Sequence, residues 1–139
     1  MNVYKKPSIT VDIFIYEESN PSQFILIQRK NQPFKGSWAL TGGFIDYGES
    51  AEIAAVREAK EETNIDVKLE KLFNVYSKGN RDPRGHTITI VFLATGNFKM
   101  LNAGSDAESI KVFSFKDIDS MNLAFDHKII LNDIYNYFY

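Results

Sequence analysis

A chain of 139 residues with 44% hydrophobic and 24% charged positions is ordinary globular composition, sufficient for one core and too short for a second folded unit. Its formal net charge of −2 lacks the lysine and arginine excess with which proteins displace counterions along a nucleic-acid polymer, but leaves room for a ligand with a few phosphates. There is no cysteine, so disulfides, thiolate metal sites and cysteine nucleophiles are excluded together. No secretory signal opens the chain and no apolar run approaches the ~20 residues that cross a bilayer, so no membrane partner is expected and the expected location is the cytoplasm.

Ser8 to Tyr16 is rich in β-branched and aromatic residues and predicts a strand. A polar turn over Glu17 to Ser22 returns the chain as a second strand, Phe24 to Arg29, and Asn31 to Gly36 is a loop around Pro33. Leu40 to Ile45 carries Gly42-Gly43, a pair whose backbone can take angles closed to other residues. Ser50 to Thr63 is the clearest helix, with Ser50 placed to cap its start and Asn64 just past its end. Strands are expected over Val67 to Tyr76, Thr87 to Ala94 and Val112 to Phe115, with the polar segment Ser77 to His86 between the first two. Asp126 to Tyr137 closes the chain as a helix, with Ile130, Ile134 and Phe138 at a spacing of four. Strands and helices do not alternate regularly, which predicts a mixed α+β sandwich in a single domain over residues 1–139 rather than a doubly wound sheet.

The chemistry concentrates between Gly42 and Ile65. On a helix, Glu58, Glu61 and Glu62 fall within an arc of about 100°, with Val56, Ala59 and Thr63 roughly opposite and Ala55 and Ile53 at the margins of that packing face. Like charges at this spacing repel, so a cation belongs among them. Lys60 and Arg57 help, but hard oxygen donors without any thiolate suit Mg²⁺ or Mn²⁺. A solvated acidic helix face is the competing reading of the same residues.

The wider spacing decides between them. Gly43, five residues, Glu49, seven residues, Arg57-Glu58, one small residue and Lys60-Glu61-Glu62 resemble the signature of the Nudix family, and Gly36-Ser37-Trp38-Ala39-Leu40 is similar to the segment leading into it. The resemblance runs through nearly the whole chain. It implies a Nudix-type α/β/α sandwich with a mixed sheet, and Mg²⁺-dependent hydrolysis of a nucleoside diphosphate linked to a further group. It implies that Glu58, Glu61, Glu62 and the Gly42 carbonyl ligate metal, that Arg57 orients the glutamates, and that Gly43 and Glu49 support the loop. The catalytic residues are then Glu61, Glu62 and Arg57, with Glu61, Glu62, Asp106 and Glu108 as candidates for the base that takes a proton from water. Two positions depart from the family's pattern. Asn64 stands for a glycine, which a left-handed cap tolerates, and Thr41 stands for a proline, whose loss is expected to loosen the loop.

Arg81-Asp82-Pro83-Arg84-Gly85-His86 and Leu123-Ala124-Phe125-Asp126-His127 resemble the ADP-ribose pyrophosphatase branch of that family. On this resemblance Arg84 binds phosphate or carboxylate and Phe125 or Trp38 stacks on adenine, while Arg29, at the end of a strand, reads equally as a substrate contact or a surface arginine. Without it, the first segment reads equally well as a turn with solvated arginines. His86 and His127 are expected to be structural, at a strand start and in a helix first turn. The closing Tyr135-Asn136-Tyr137-Phe138-Tyr139 would suit a homodimer contact. The leading function is hydrolysis of ADP-ribose to AMP and ribose 5-phosphate. A nucleoside triphosphate pyrophosphohydrolase and a non-catalytic nucleotide sensor stand as alternatives, the sensor opposed by the intact carboxylate set and the short chain.

Overall fold

The computed structural model describes residues 4–101 and 109–139. Seven strands, β1 (Ser8–Glu17), β2 (Asn20–Gln28), β3 (Trp38–Ala39), β4 (Thr41–Phe44), β5 (Lys68–Tyr76), β6 (Thr87–Gly96) and β7 (Ile110–Phe113), form one sheet. Its main path runs β3-β2-β1-β6-β5, with β4 paired to β1 and β7 to β2. β1 and β6 are parallel from Ser8↔Thr87 to Glu17↔Gly96, while the other pairings are antiparallel, so the sheet is mixed as expected.

Helices α1 (Ala51–Thr63) and α2 (His127–Phe138) cover opposite faces, and the central strand is apolar on both for that reason. Val11, Ile13 and Ile15 pack with Ala54, Ala55 and Ala59 of α1. Phe14 on the other face packs with Ile130, Leu131 and Ile134 of α2. The buried face of α1 is rotated from the sequence expectation: Ala54 is buried, whereas Ile53 is 62% and Val56 39% exposed. Small alanines let the helix lie close to the sheet, and that close approach decides which side faces inward. At the C-terminus Phe138 packs into the second core cluster, while Tyr137 and Tyr139 are exposed.

The topology opens a site. β1 pairs with β2 only near Tyr16↔Phe24 and Glu17↔Asn20, after which the two strands diverge. The chain from Trp38 to Phe44 crosses this gap, pairing first with β2 and then with β1 from Ile13↔Thr41 to Thr10↔Phe44. Thr41 is therefore a ladder residue, which corrects the expected loosening. Its backbone lies in a strand register that a proline could not support with an N–H.

Candidate active site

Local signals at α1 hold the acidic segment in place. Ser50 accepts a hydrogen bond from the Ile53 N–H at 3.1 Å. Asn64 sits at φ 64° and donates its N–H to the Lys60 carbonyl, so asparagine in place of glycine keeps the left-handed cap.

Arg57 is the hub. Its Nε and Nη2 donate to the two Glu49 oxygens at 2.7 and 2.8 Å, and Nη1 donates to Glu58 at 2.9 Å and more distantly to Glu61 at 3.3 Å. Nη2 also donates to the Phe44 carbonyl at 3.2 Å, tying the helix to β4. The Arg57 guanidinium, helped by the Asp46 N–H, holds the Glu49 carboxyl down at about 2.

The paired glycines act by leaving room. Neither has a positive φ, which corrects the expectation that the pair serves unusual backbone angles. A Cβ at Gly43 would lie 2.5 Å from the Glu58 carboxyl, and one at Gly42 would lie 2.2 Å from the Val11 carbonyl oxygen and 2.6 Å from Asp12 Oδ1. The Gly42 N–H donates to Glu62 at 3.2 Å.

Burial, outweighing that hydrogen bond, pushes the Glu62 carboxyl up to about 8, with the neighbouring Glu58 and Asp12 carboxyls adding to the rise. Burial also raises Glu58. Among the described residues, no three carboxylate or imidazole groups close into a metal-holding cluster as they stand, and Glu61 is more than half exposed. The donor set nonetheless fits a hard divalent cation. Its donors are oxygen, its carboxylates are crowded against their own charge, and Gly43 leaves Glu58 the space of a side chain.

Two clefts meet at Arg29 and Gly42, and one of them reaches this helix. One, of about 400 Å³, is lined by Glu61, Glu62, Arg29 and Gly42. The other, of about 240 Å³, shares Arg29 and Gly42 and adds Asp12, Phe44, Arg84 and Phe125. The structure thus brings Arg29, Arg84 and Phe125 to one cleft. Phe125 has φ 52° and lies 4.9 Å from the Arg29 guanidinium and 5.7 Å from that of Arg84. Arg84 also faces the Phe44 ring at 5.6 Å and is steadied by Asp82 at 2.8 Å. Trp38 departs from the expected stacking role. It packs edge-on against Phe113 at 4.9 Å and belongs to the core under α2.

Sequence reasoning missed the buried polar wall of this cleft. Arg81, 8% exposed, pairs with Asp126 at 2.6 and 2.9 Å and donates to Thr87 at 2.9 Å, so the segment around it is not a turn of solvated arginines. Asp12 is buried and accepts from Thr89 at 2.6 Å. Burial raises its carboxyl, and it also lowers the imidazole of His127, which lies 3.7 Å away. His127 Nδ1 accepts the Leu40 N–H at 3.0 Å, a structural role as expected, and His86 Nε2 lies 2.9 Å from the Ser77 carbonyl. The one signal available was a charged residue inside the apolar run of β1. The candidate bases Asp106 and Glu108 lie outside the described residues.

The NUDIX domain profile matches residues 6–134. The chain belongs to the Nudix family. This Nudix hydrolase is 44% identical over 131 residues to an ADP-ribose pyrophosphatase of Methanocaldococcus jannaschii, a match covering 94% of this chain and 75% of that one. It is 36% identical over 138 residues to the ADPR responsive transcriptional repressor NtrR of Acinetobacter baylyi, covering 95% of this chain but 54% of the repressor. Among solved structures, the NUDIX domain of Shewanella oneidensis NrtR complexed with ADP ribose superposes with a TM-score of 0.79 at 26% identity, covering 98% of this chain and 91% of that one. The family and this relative make the chain a Nudix hydrolase and support pyrophosphate hydrolysis as its chemistry. Among the described residues, no helix is long and apolar enough to cross a membrane.

Proposed function

We propose that this Nudix hydrolase splits ADP-ribose into AMP and ribose 5-phosphate, with Mg²⁺ as its cation and Mn²⁺ able to replace it. The observation that carries the reading is the junction of the carboxylate helix with an aromatic and guanidinium cleft through Arg29 and Gly42, which line both. The similarity to an ADP-ribose pyrophosphatase supports the same substrate. A cysteine-free chain suits the reducing cytoplasm in which we place this activity.

In this reading Glu58, Glu61, Glu62 and the Gly42 carbonyl hold the cation. When bound, it offsets phosphate charge and acidifies a water. Arg57 and Glu49 fix the directions of the carboxylates, and Gly43 keeps Glu58 in place. Arg29 and Arg84 meet the pyrophosphate as cations, and Phe125 offers a ring face to the adenine. Glu61 or Glu62 takes the proton of the attacking water.

The test is AMP release from ADP-ribose and Mg²⁺ by the wild type, Glu61→Gln and Glu62→Gln. Rapid release by the wild type that is lost in both variants supports the reading. Intact ADP-ribose with turnover of nucleoside triphosphates overturns the substrate. The similarity to a repressor that responds to ADPR favours one second reading, a nucleotide-binding regulatory module. Tight ADP-ribose binding without cleavage of any nucleotide would select it.

A further inference from the structure

Asp12 is an expensive residue for its place. It occupies the middle of β1 between Val11 and Ile13, both fully buried, and is itself 8% exposed. A carboxylate so placed is normally matched by a cation. Here the nearby guanidinium of Arg81 is engaged with Asp126 and Thr87. Asp12 instead has the Thr89 hydroxyl on Oδ2 at 2.6 Å. His127 adds weaker support. Its Nδ1 accepts from the Leu40 N–H, so the neutral ring carries its proton on Nε2, 3.7 Å from the same Oδ2. The other oxygen, Oδ1, lies beside Gly42, where a side chain would displace it. Asp12 and Gly42 both line the cleft that also holds Phe44 and Phe125.

The strand register orders what the cleft can take. Asp12 is opposite Gly42, the rung whose N–H meets Glu62, and Thr10 is opposite Phe44, the rung that bears an aromatic face. These rungs are two residues apart, roughly 6.8 Å along the strand. A phosphate belongs at the carboxylate end with its cation, and a base belongs against the rings. Asp12 lines the cleft of the rings and not the cleft of Glu61 and Glu62, beside the Gly42 that both share, so the part of a nucleotide that passes it between phosphate and base is the sugar, a neutral group rich in hydroxyl donors. A carboxylate repels phosphate and accepts well from hydroxyls, as acidic residues do toward ribose in dinucleotide-binding sheets.

We propose that Asp12, braced by Thr89 and His127, is a specificity residue that accepts a hydrogen bond from a ribose hydroxyl of the substrate. The proposal rests on the ADP-ribose reading above, and makes this enzyme a discriminator of ribose from deoxyribose. Its test compares kcat and KM for ADP-ribose and for analogues lacking one hydroxyl on either ribose, in the wild type, Asp12→Asn and Thr89→Val. The wild type should lose 10- to 100-fold in kcat/KM on one analogue. Asp12→Asn should fall on ADP-ribose, mainly through KM, and close that gap, and Thr89→Val should narrow it. Because the readout is a ratio within each variant, partial loss of folded protein cancels. Equal wild-type rates on all analogues overturn the proposal while leaving ADP-ribose hydrolysis standing. So does a uniform loss in Asp12→Asn with the ratio unchanged, which would mark a role in cation binding or folding. No hydrolysis of ADP-ribose by the wild type is a failure of the underlying reading, and the same ratio would then be read on ribo- and deoxyribonucleoside triphosphates, where equal rates overturn the proposal.

Discussion

Replacing Gly43 by alanine adds one methyl group to β4, 2.5 Å from the carboxyl carbon and one oxygen of Glu58 and 2.7 Å from the other. Ordinary contact is 3.4 Å or more, so the carboxyl must retreat by about 0.9 Å. The atoms it meets are the far end of a flexible side chain, and the backbone of Gly43 lies in a strand at a φ open to alanine. The fold should therefore absorb the change, with the melting temperature moving by no more than a few degrees. The site should not. Arg57 Nη1 donates to Glu58 at 2.9 Å, and a displacement of that size stretches the bond past useful length and turns a proposed cation ligand away. A misplacement on the order of 1 Å lowers rates by up to about 10²-fold, or about 2.7 kcal/mol of barrier. The assay is steady-state release of nucleoside monophosphate across a titration of Mg²⁺, with a thermal melt alongside. Activity within about twofold of wild type at every Mg²⁺ concentration would refute the claim that the space over Gly43 fixes Glu58.

Thr41 Oγ1 is buried with no hydrogen-bond partner among the described residues, so Thr41→Val should stabilise the protein by about 1 kcal/mol, seen as a higher melting temperature. Asp126→Ala leaves the Arg81 guanidinium, 4% exposed, without its partner and should destabilise by about 3–5 kcal/mol in denaturant unfolding. Glu49 titrates at about 2 in the folded protein against 4.5 ordinarily, so its pairing stabilises fully above pH 4.5 and is lost as pH falls toward 2. Stability measured against pH should accordingly fall more steeply through that window in the wild type than in Glu49→Gln. Phe125→Ala removes the ring between Arg29 and Arg84 and should raise KM for ADP-ribose roughly fivefold to tenfold with little change in kcat, read from initial rates.

What could be read from residues alone follows the range of the forces involved. α1 was legible because its signals are local: Ser50 caps one end, Asn64 the other, and the Arg57 to Glu62 spacing is a property of one helix. Which side of α1 is buried was less legible. Counting apolar residues favours Val56, but the helix packs on Ala54, Ala55 and Ala59, because nearness to Val11, Ile13 and Ile15 outweighs hydrophobicity at exposed positions. The glycine pair shows the same limit from the other direction. Its presence was visible, but its reason lies in atoms of Val11, Asp12 and Glu58, all of which belong to other elements and none of which a φ argument touches.

The cleft wall was the least legible part, and the reason is physical. Arg81 finds Asp126 across 45 positions of sequence, and Asp12 finds Thr89 across 77. No periodicity or spacing records such a pair. What the sequence does record is one misfit, an aspartate in a strand whose neighbours are Val11 and Ile13, while the structure adds a second, an arginine fully engaged in the interior. Each is an unfavourable choice for folding alone, since apolar residues of similar volume would pack there without desolvating a charge. Both line the cleft beside the carboxylate helix. Charges that a core does not need, gathered at the opening where β1 and β2 part, are the mark of a surface shaped for a polar ligand, and that inference stands whichever nucleotide the cleft takes.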